Sequence, residues 1–220
     1  MISVAIDGPA GAGKSTISRK VSAELGFIYV DTGALYRSIA YTLNSKGITT
    51  DRVEKIEATL KDTRIDIKFI DGEQHVMVND TDVSGEIRTA EVSMLASAFS
   101  ALPTVREYLL GLQRRMAEEN NVIMDGRDIG TVVLPDATVK IFLTADPEDR
   151  AKRRYDEMIE KGMTANYEEV LEDIKKRDYN DSHRAVAPLK PAEDSIIVNT
   201  TGNTLEQSVE QLANIIKSNI

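Results

Sequence analysis

No cysteine occurs among the 220 residues, which excludes disulfides, thiolate metal sites and cysteine nucleophiles. Histidine is nearly as scarce: His75 and His183 leave little for a histidine-based metal site. No window approaches 18 consecutive apolar residues, so no membrane-spanning helix and no membrane partner are expected. The opening run 2–6 is also too short and too poor in basic residues for a secretion signal, and a cytoplasmic location is expected. Basic residues are outnumbered, 27 Lys plus Arg against 36 Asp plus Glu, a net charge of −9. That balance argues against nucleic acid as the main partner, whereas a small phosphorylated ligand needs only a local cluster of arginines. Repeats and low-complexity tracts are absent as well. What remains is ordinary globular material, 41% hydrophobic and 29% charged, enough at this length to bury roughly 70% of the unfolded surface.

The chain alternates between strand and helix patterns. Residues 2–6 form a short apolar run closed by Asp7-Gly8-Pro9, as a buried strand entering a tight turn would be. Over 15–25, Ile17, Val21 and Leu25 share a helix face, and Gly26 supplies the stop. A strand at 27–30 and a helix at 33–44, with Leu35, Ile39 and Leu43 on one face, extend the alternation and predict a parallel sheet. From Thr63 the period falls to two: Ile65, Ile67 and Phe69, a turn at Asp71-Gly72, then Val76 and Val78. This is an antiparallel hairpin within 63–84, either an insertion with its own small sheet or a hairpin on the edge of the main one. Helices are expected at 88–101 and 103–119, and a third core strand at 122–124 ends in Asp125-Gly126-Arg127-Asp128. A strand at 139–143, helices at 147–161 and 166–176, a strand at 196–198 and a helix at 204–218 complete a doubly wound, five-stranded α/β fold. Ligands of such a sheet belong at the carboxyl ends of its strands.

The most specific short motif is Gly8-Pro9-Ala10-Gly11-Ala12-Gly13-Lys14-Ser15, which fits G-x-x-x-x-G-K-[ST] between a predicted strand and a predicted helix. Its glycines let backbone N–H groups turn inward as an anion nest, and the following helix, with Thr16 in its first turn, adds its positive dipole end. Lys14 can reach the β and γ phosphates of a nucleoside triphosphate, and the Ser15 hydroxyl can ligate Mg²⁺. The loop does not say what becomes of the phosphate. A guanine switch needs an Asn/Thr-Lys-x-Asp element, and the chain has none. A transferase needs a second anion site, and arginines stand at suitable places: Arg37 after the second strand, Arg127 after the third, and Arg150, Arg153, Arg154, Arg177 and Arg184 beyond. At this level the chain reads as a P-loop small-molecule kinase, with a hydrolytic or non-catalytic P-loop module as the alternative.

Several segments together resemble bacterial cytidylate kinases, a family of P-loop nucleoside monophosphate kinases. They are the P-loop itself, Asp31-Thr32-Gly33-Ala34-Leu35-Tyr36-Arg37, Val105-Arg106-Glu107, Asp125-Gly126-Arg127-Asp128-Ile129-Gly130-Thr131-Val132-Val133, Val139-Lys140-Ile141-Phe142-Leu143 and Arg184-Ala185-Val186-Ala187-Pro188-Leu189. The segments that begin at Asp125 (Asp-Gly-Arg-Asp-x-Gly-Thr) and at Arg184 (Arg-Ala-Val-Ala-Pro) are far more specific than the P-loop. The resemblance runs from residue 2 to about residue 200, with the long stretch after Arg37 resembling the family's enlarged monophosphate-binding insert.

The resemblance implies a single kinase domain over 1–220, acting as a monomer, with a monophosphate-binding insertion at 38–100 and a lid at 148–166. It implies transfer of the ATP γ-phosphoryl group to CMP and dCMP with Mg²⁺, the alternative being another nucleoside monophosphate or small-molecule kinase. Phosphoryl transfer asks for alignment and charge neutralisation, and an acceptor phosphate oxygen is already anionic, so no general base is needed. On this reading Gly8 to Thr16 hold ATP, Ser15 and Asp125 hold Mg²⁺, the latter through water, and Arg37 and Arg127 clamp the acceptor phosphate. Arg150 and Arg154, four apart and so on one helix face, with Arg153 beside them, resemble lid arginines closing over the transferring group. Arg177, Asp181 and Arg184, expected beyond the 166–176 helix, resemble residues around the acceptor nucleoside, Asp181 accepting from a ribose hydroxyl. Asp128 would take the cytosine amino group, and Ser97, Arg106 and Arg184 its acceptor atoms. Thr32 stands among the acceptor contacts.

Overall fold

The structure, a computed structural model, describes residues 1–70 and 73–220; the expected Asp71-Gly72 turn lies outside the described residues. In chain order the elements are β1 (Ser3–Asp7), α1 (Lys14–Leu25), β2 (Ile28–Asp31), α2 (Thr32–Ser45), α3 (Val53–Lys61), β3 (Ile65–Ile70), β4 (Glu73–Val78) and β5 (Thr81–Asp82). They continue as α4 (Ala90–Phe99), α5 (Pro103–Glu119), β6 (Val122–Gly126), β7 (Val139–Thr144), α6 (Pro147–Glu160), α7 (Tyr167–His183), β8 (Ile196–Asn199) and α8 (Leu205–Lys217). A five-stranded sheet has the order β2-β6-β1-β7-β8, and β3-β4-β5 make a separate three-stranded sheet. The large sheet is parallel and doubly wound, with Ile6 opposite Asp125 on one side and Ile141 on the other. The connection leaving β1 runs to one side of it and the connection leaving β6 to the other, so loops part at their carboxyl ends and leave room for a ligand.

Two compact units divide the chain: residues 1–29 with 119–220, and residues 30–118. In the first, Val4, Ile6, Ile123, Ile141 and Leu143 are buried with Ile17 and Val21 of α1 and Leu212 and Ile216 of α8. Strands covered on both faces need continuous apolar runs, as these have. Gly26 ends α1 in the left-handed conformation, its N–H donating to the Ser22 carbonyl. Thr204 and Gln207 open α8 with a reciprocal capping box. In the second unit α2, α4 and α5 bury Leu35, Ile39, Phe99 and Leu109 in one core with Ile65, Val76 and Val78 of the small sheet. The β3–β4 pairing is antiparallel, with Ile65 opposite Val78 and Ile67 opposite Val76, so the period-two pattern does place one face on the core. Of the two readings of the hairpin, the insertion with its own sheet is correct.

Two expectations need correction, and one helix is additional. The 88–101 helix is a 3₁₀ turn at Glu86–Arg88 followed by α4, because Thr89 adopts an extended conformation and caps α4 by accepting from the Val92 N–H. Helix α3 was not anticipated: only Ile56, Thr59 and Leu60 of its nine residues are buried, too narrow a stripe to read against its charges. The 166–176 helix continues to His183, so Arg177 and Asp181 lie on α7 and Arg184 caps its end. Residues 175–181 are almost wholly polar, and ion pairs described below, which no helical periodicity encodes, hold that extension in place.

Candidate active site

Within the first unit, the loop after β1 is built by close approach. Gly8 has φ +151°, and a Cβ there would sit 1.9 Å from the Leu143 carbonyl oxygen of β7, so the chain can pass only as glycine. Lys14, the first residue of α1, is buried and donates from Nζ to the Gly8 and Pro9 carbonyls at 2.7 and 2.8 Å. Burial, and then the Arg127 charge, lower its pKa to about 7, against the pull of Asp125, Asp7 and Asp181. A polyphosphate against Lys14 would supply the counter-charge that burial removes.

The Ser15 hydroxyl donates to Asp125 Oδ2 at 2.8 Å, and the Tyr29 hydroxyl to Asp125 Oδ1 at 3.0 Å. A serine hydroxyl and a carboxylate held together at a P-loop form a hard oxygen donor set, which fits Mg²⁺ bound by few protein groups with phosphate and water completing its shell. Thr16 is exposed beside them in the first turn of α1.

Beyond β6, Arg127 Nε donates to Asp181 Oδ2 at 2.7 Å, and an Arg184 Nη donates to Asp128 Oδ1 at 3.4 Å. The α7 extension thus delivers Asp181 and Arg184 to the Asp125–Asp128 segment. Arg177 lies exposed on the same helix.

Arg150 and Arg154, expected to share a face, occupy different environments. Arg150 is only 3% exposed. Its guanidinium donates to the Ala145 and Ala10 carbonyls at 2.8 and 2.9 Å and makes a bidentate pair with Asp178 at 3.1 and 2.6 Å. It therefore ties α6 to the P-loop and to α7. Arg153 donates to the Thr200 carbonyl and pairs with Asp149 at 2.5 Å, while Arg154 is exposed.

Two carboxylates of this unit escaped the sequence reading. Asp178 faces Arg150 across 28 positions of chain, a distance no local pattern reports. Asp7 read only as the end of a strand, although a carboxylate closing an apolar run was a signal. It is 4% exposed, and its two oxygens accept from the Ile129 and Gly130 N–H groups, both at 2.8 Å. Burial, with a contribution from Asp128, raises its pKa from 3.8 to about 6 despite those bonds. Folding thus tightens its hold on a proton. Its contribution to stability is complete below about pH 4 and lost as pH rises through about 6. Relative to Asp7→Asn, the unfolding free energy of the wild type should fall by up to about 3 kcal/mol between about pH 4 and about pH 7. Urea melts of both proteins at the two pH values check this; a constant difference would refute it.

The second unit carries the remaining candidates. Asp31 caps α2 by accepting from the Ala34 N–H at 2.9 Å and pairs through Oδ2 with Arg37 at 3.0 Å. The Asp31 N–H donates to Gln74 Oε1 at 3.0 Å, so one residue of the small sheet helps to fix the Asp31–Arg37 pair. Thr32 is buried in the first turn of α2. Arg106 is buried on α5, with its guanidinium 5.9 Å from the Tyr36 ring centroid and one Nη 3.4 Å from the Ser100 carbonyl. Ser97 is exposed on α4.

No helix among the described residues is long and apolar enough to cross a membrane. A model of the family described as cytidylate kinase matches residues 4–218. The cytidylate kinase of Leuconostoc mesenteroides is 49% identical over 217 residues, covering 99% of this chain and 97% of that protein. Those of Caldicellulosiruptor saccharolyticus and Caldanaerobacter subterraneus are each 49% identical, over 211 and 218 residues, covering 96% and 99% of this chain and 93% and 96% of theirs. A crystal structure of an uncharacterized protein from Eubacterium ventriosum is similar in fold, with a TM-score of 0.56 at 13% identity over 99% of each chain. With a family model spanning nearly all of its length and relatives of almost half-identical sequence end to end, the chain belongs to the cytidylate kinase family.

Proposed function

We propose that this protein transfers the γ-phosphoryl group of ATP to CMP and dCMP, giving ADP with CDP or dCDP. Family membership makes it an ATP-dependent phosphotransferase. The observation that carries the reading is the pairing of Arg127 with Asp181 and of Arg184 with Asp128, at the carboxyl end of the strand whose Asp125 bonds to P-loop Ser15. A nucleotide hydrolase has no need of a second cluster of paired arginines and carboxylates there; an acceptor nucleotide does.

On this reading Gly8 to Thr16 bind ATP, with Lys14 on the β and γ phosphates. Ser15, and Asp125 through water, hold Mg²⁺, which when bound neutralises phosphate charge. Arg37 and Arg127 orient the acceptor phosphate; bidentate guanidinium groups both align and neutralise it. Arg150, Arg153 and Arg154 of α6 act on the transferring group; Arg150 also ties the P-loop to the residue after β7 and Arg153 bonds the residue after β8, while Arg154 is exposed. Thr32, Ser97, Arg106, Asp128, Arg177, Asp181 and Arg184 contact the rest of the acceptor. Residues 38–100 serve as the monophosphate-binding insertion and 148–166 as a lid that excludes water and so prevents wasteful hydrolysis.

A coupled assay with ATP, Mg²⁺ and a panel of nucleoside monophosphates tests the proposal. ADP should form only with an acceptor present, and fastest with CMP and dCMP. Phosphate release without an acceptor would overturn it in favour of a hydrolase.

A further inference from the structure

The carboxylate of Asp7 takes no part in the roles assigned so far, yet it is among the most constrained groups of the first unit. Its two oxygens accept from consecutive N–H groups, those of Ile129 and Gly130. These residues open a single π-helical turn over Ile129–Val133, and Asp128 is the residue before it, with φ −147° and ψ 27°. The turn is fastened at its other side as well. The Asp128 carbonyl accepts from the Val132 and Val133 N–H groups at 2.9 and 3.2 Å, and the Ile129 carbonyl from Leu134 at 2.7 Å. Both peptide groups that follow the Asp128 Cα are therefore pinned, and Asp7 supplies the only contact among these that comes from β1. The fit is close: a Cβ on Gly130 would lie 3.4 Å from Asp7 Oδ2 and 3.2 Å from Lys140 Cδ.

A turn could be pinned more cheaply by a neutral acceptor. A buried carboxylate close to Asp128 carries a desolvation and repulsion cost, visible in its raised pKa. Two strong, parallel N–H···O⁻ bonds offer in return a rigidity that one amide oxygen cannot. Base reading by hydrogen bond needs such rigidity, because a shift of a few tenths of an ångström spoils a bond that must sit near 2.9 Å.

We infer that Asp7 is a positioning residue for acceptor-base selection, its two N–H···O bonds holding the turn that aims Asp128 at the pyrimidine amino group. The inference rests on the reading that Asp128 receives that group, and the test separates the two. In Asp7→Asn an amide oxygen can accept from one N–H, while its NH₂ faces the other, so the turn must shift. A shift approaching 1 Å can cost up to about 100-fold where geometry matters. The expected result is a CMP-over-UMP ratio of kcat/KM lowered roughly 10-fold or more. KM for CMP should rise by a similar factor, with KM for ATP and kcat at saturating CMP within about threefold of wild type.

Asp128→Ala is measured beside it, together with the double variant. If Asp7 acts through Asp128, the double variant loses no more discrimination than Asp128→Ala alone. An unchanged ratio in Asp7→Asn, with a lowered ratio in Asp128→Ala, overturns this inference and leaves the base-reading assignment standing. An unchanged ratio in Asp128→Ala overturns that assignment instead. Equal losses in kcat and in both KM values would show that Asp7 merely supports the fold. Should Asp7→Asn fail to fold, Gly130→Ala presses on the same contact from the other side. A folded Gly130→Ala with an unchanged CMP-over-UMP ratio would then overturn the inference.

Discussion

Lys14→Met should lower phosphoryl transfer by about 10² to 10³ in kcat/KM while leaving the fold intact. The size follows from removing one preorganised charge at phosphates whose negative charge shifts in the transition state, a loss of roughly 3 to 4 kcal/mol. Preservation of the fold follows from the burial of the side chain. The lysine stem is enclosed, and Met keeps a long unbranched stem of similar reach. The two bonds from Nζ to the Gly8 and Pro9 carbonyls disappear, which costs stability. The desolvation that drives the Lys14 pKa down to about 7 disappears with them, which restores some. The melting temperature of the variant should therefore stay within a few degrees of wild type. Steady-state assays with ATP and CMP beside a thermal melt read both halves of the expectation. Near-normal turnover would remove the P-loop assignment itself, and a collapsed melt would assign Lys14 to the architecture of the loop rather than to the chemistry.

The contrast between Lys14 and Asp7 shows what a linear sequence can and cannot reveal. Lys14 was legible because its role depends on spacing: a loop of fixed length between strand and helix presents it to phosphate whatever the rest of the chain does. The core strands were legible for a similar reason, since each is a short apolar run ended by polar turn residues, and α5 was framed by Pro103 at its start. Asp7 depends instead on a turn 122 residues away, whose first two N–H groups it accepts. Arg150 repeats the lesson from the other direction. Helical spacing puts it on the face of Arg154, but the Ala10 carbonyl and Asp178 draw it inward, and spacing knows nothing of either partner. The α7 extension belongs with these cases. It is polar throughout, and the Arg127–Asp181 and Arg150–Asp178 pairs that fix it span 54 and 28 residues. The elements of the fold are local and readable, whereas the charge pairs that shape the site are tertiary.

Base choice should reside in Asp128 and Arg106, and substitution of Asp128 should have the largest single effect on discrimination between acceptors. The carboxylate is 4% exposed and held beside Arg184. Cytosine offers an amino donor where uracil offers an acceptor oxygen, so in UMP the Asp128 oxygens would meet a like partner in a desolvated site. Sites built to hydrogen-bond a substrate N–H can reject an analogue lacking it by roughly 10⁴. CMP and dCMP should thus be phosphorylated far better than UMP. The two accepted substrates differ by one ribose hydroxyl, a contact to Asp181 at most, and should remain close. AMP should be poor because a purine is too large. In Asp128→Ala the amino group loses its acceptor and the uracil oxygen loses its repulsion, so kcat/KM for CMP and dCMP should fall while that for UMP changes little or rises. The four acceptors measured in wild type and variant decide the matter. A uniform drop across all four would mean that Asp128 serves the loop or the acceptor phosphate, and base choice would then rest on the groups at the acceptor atoms of the base, Ser97, Arg106 and Arg184.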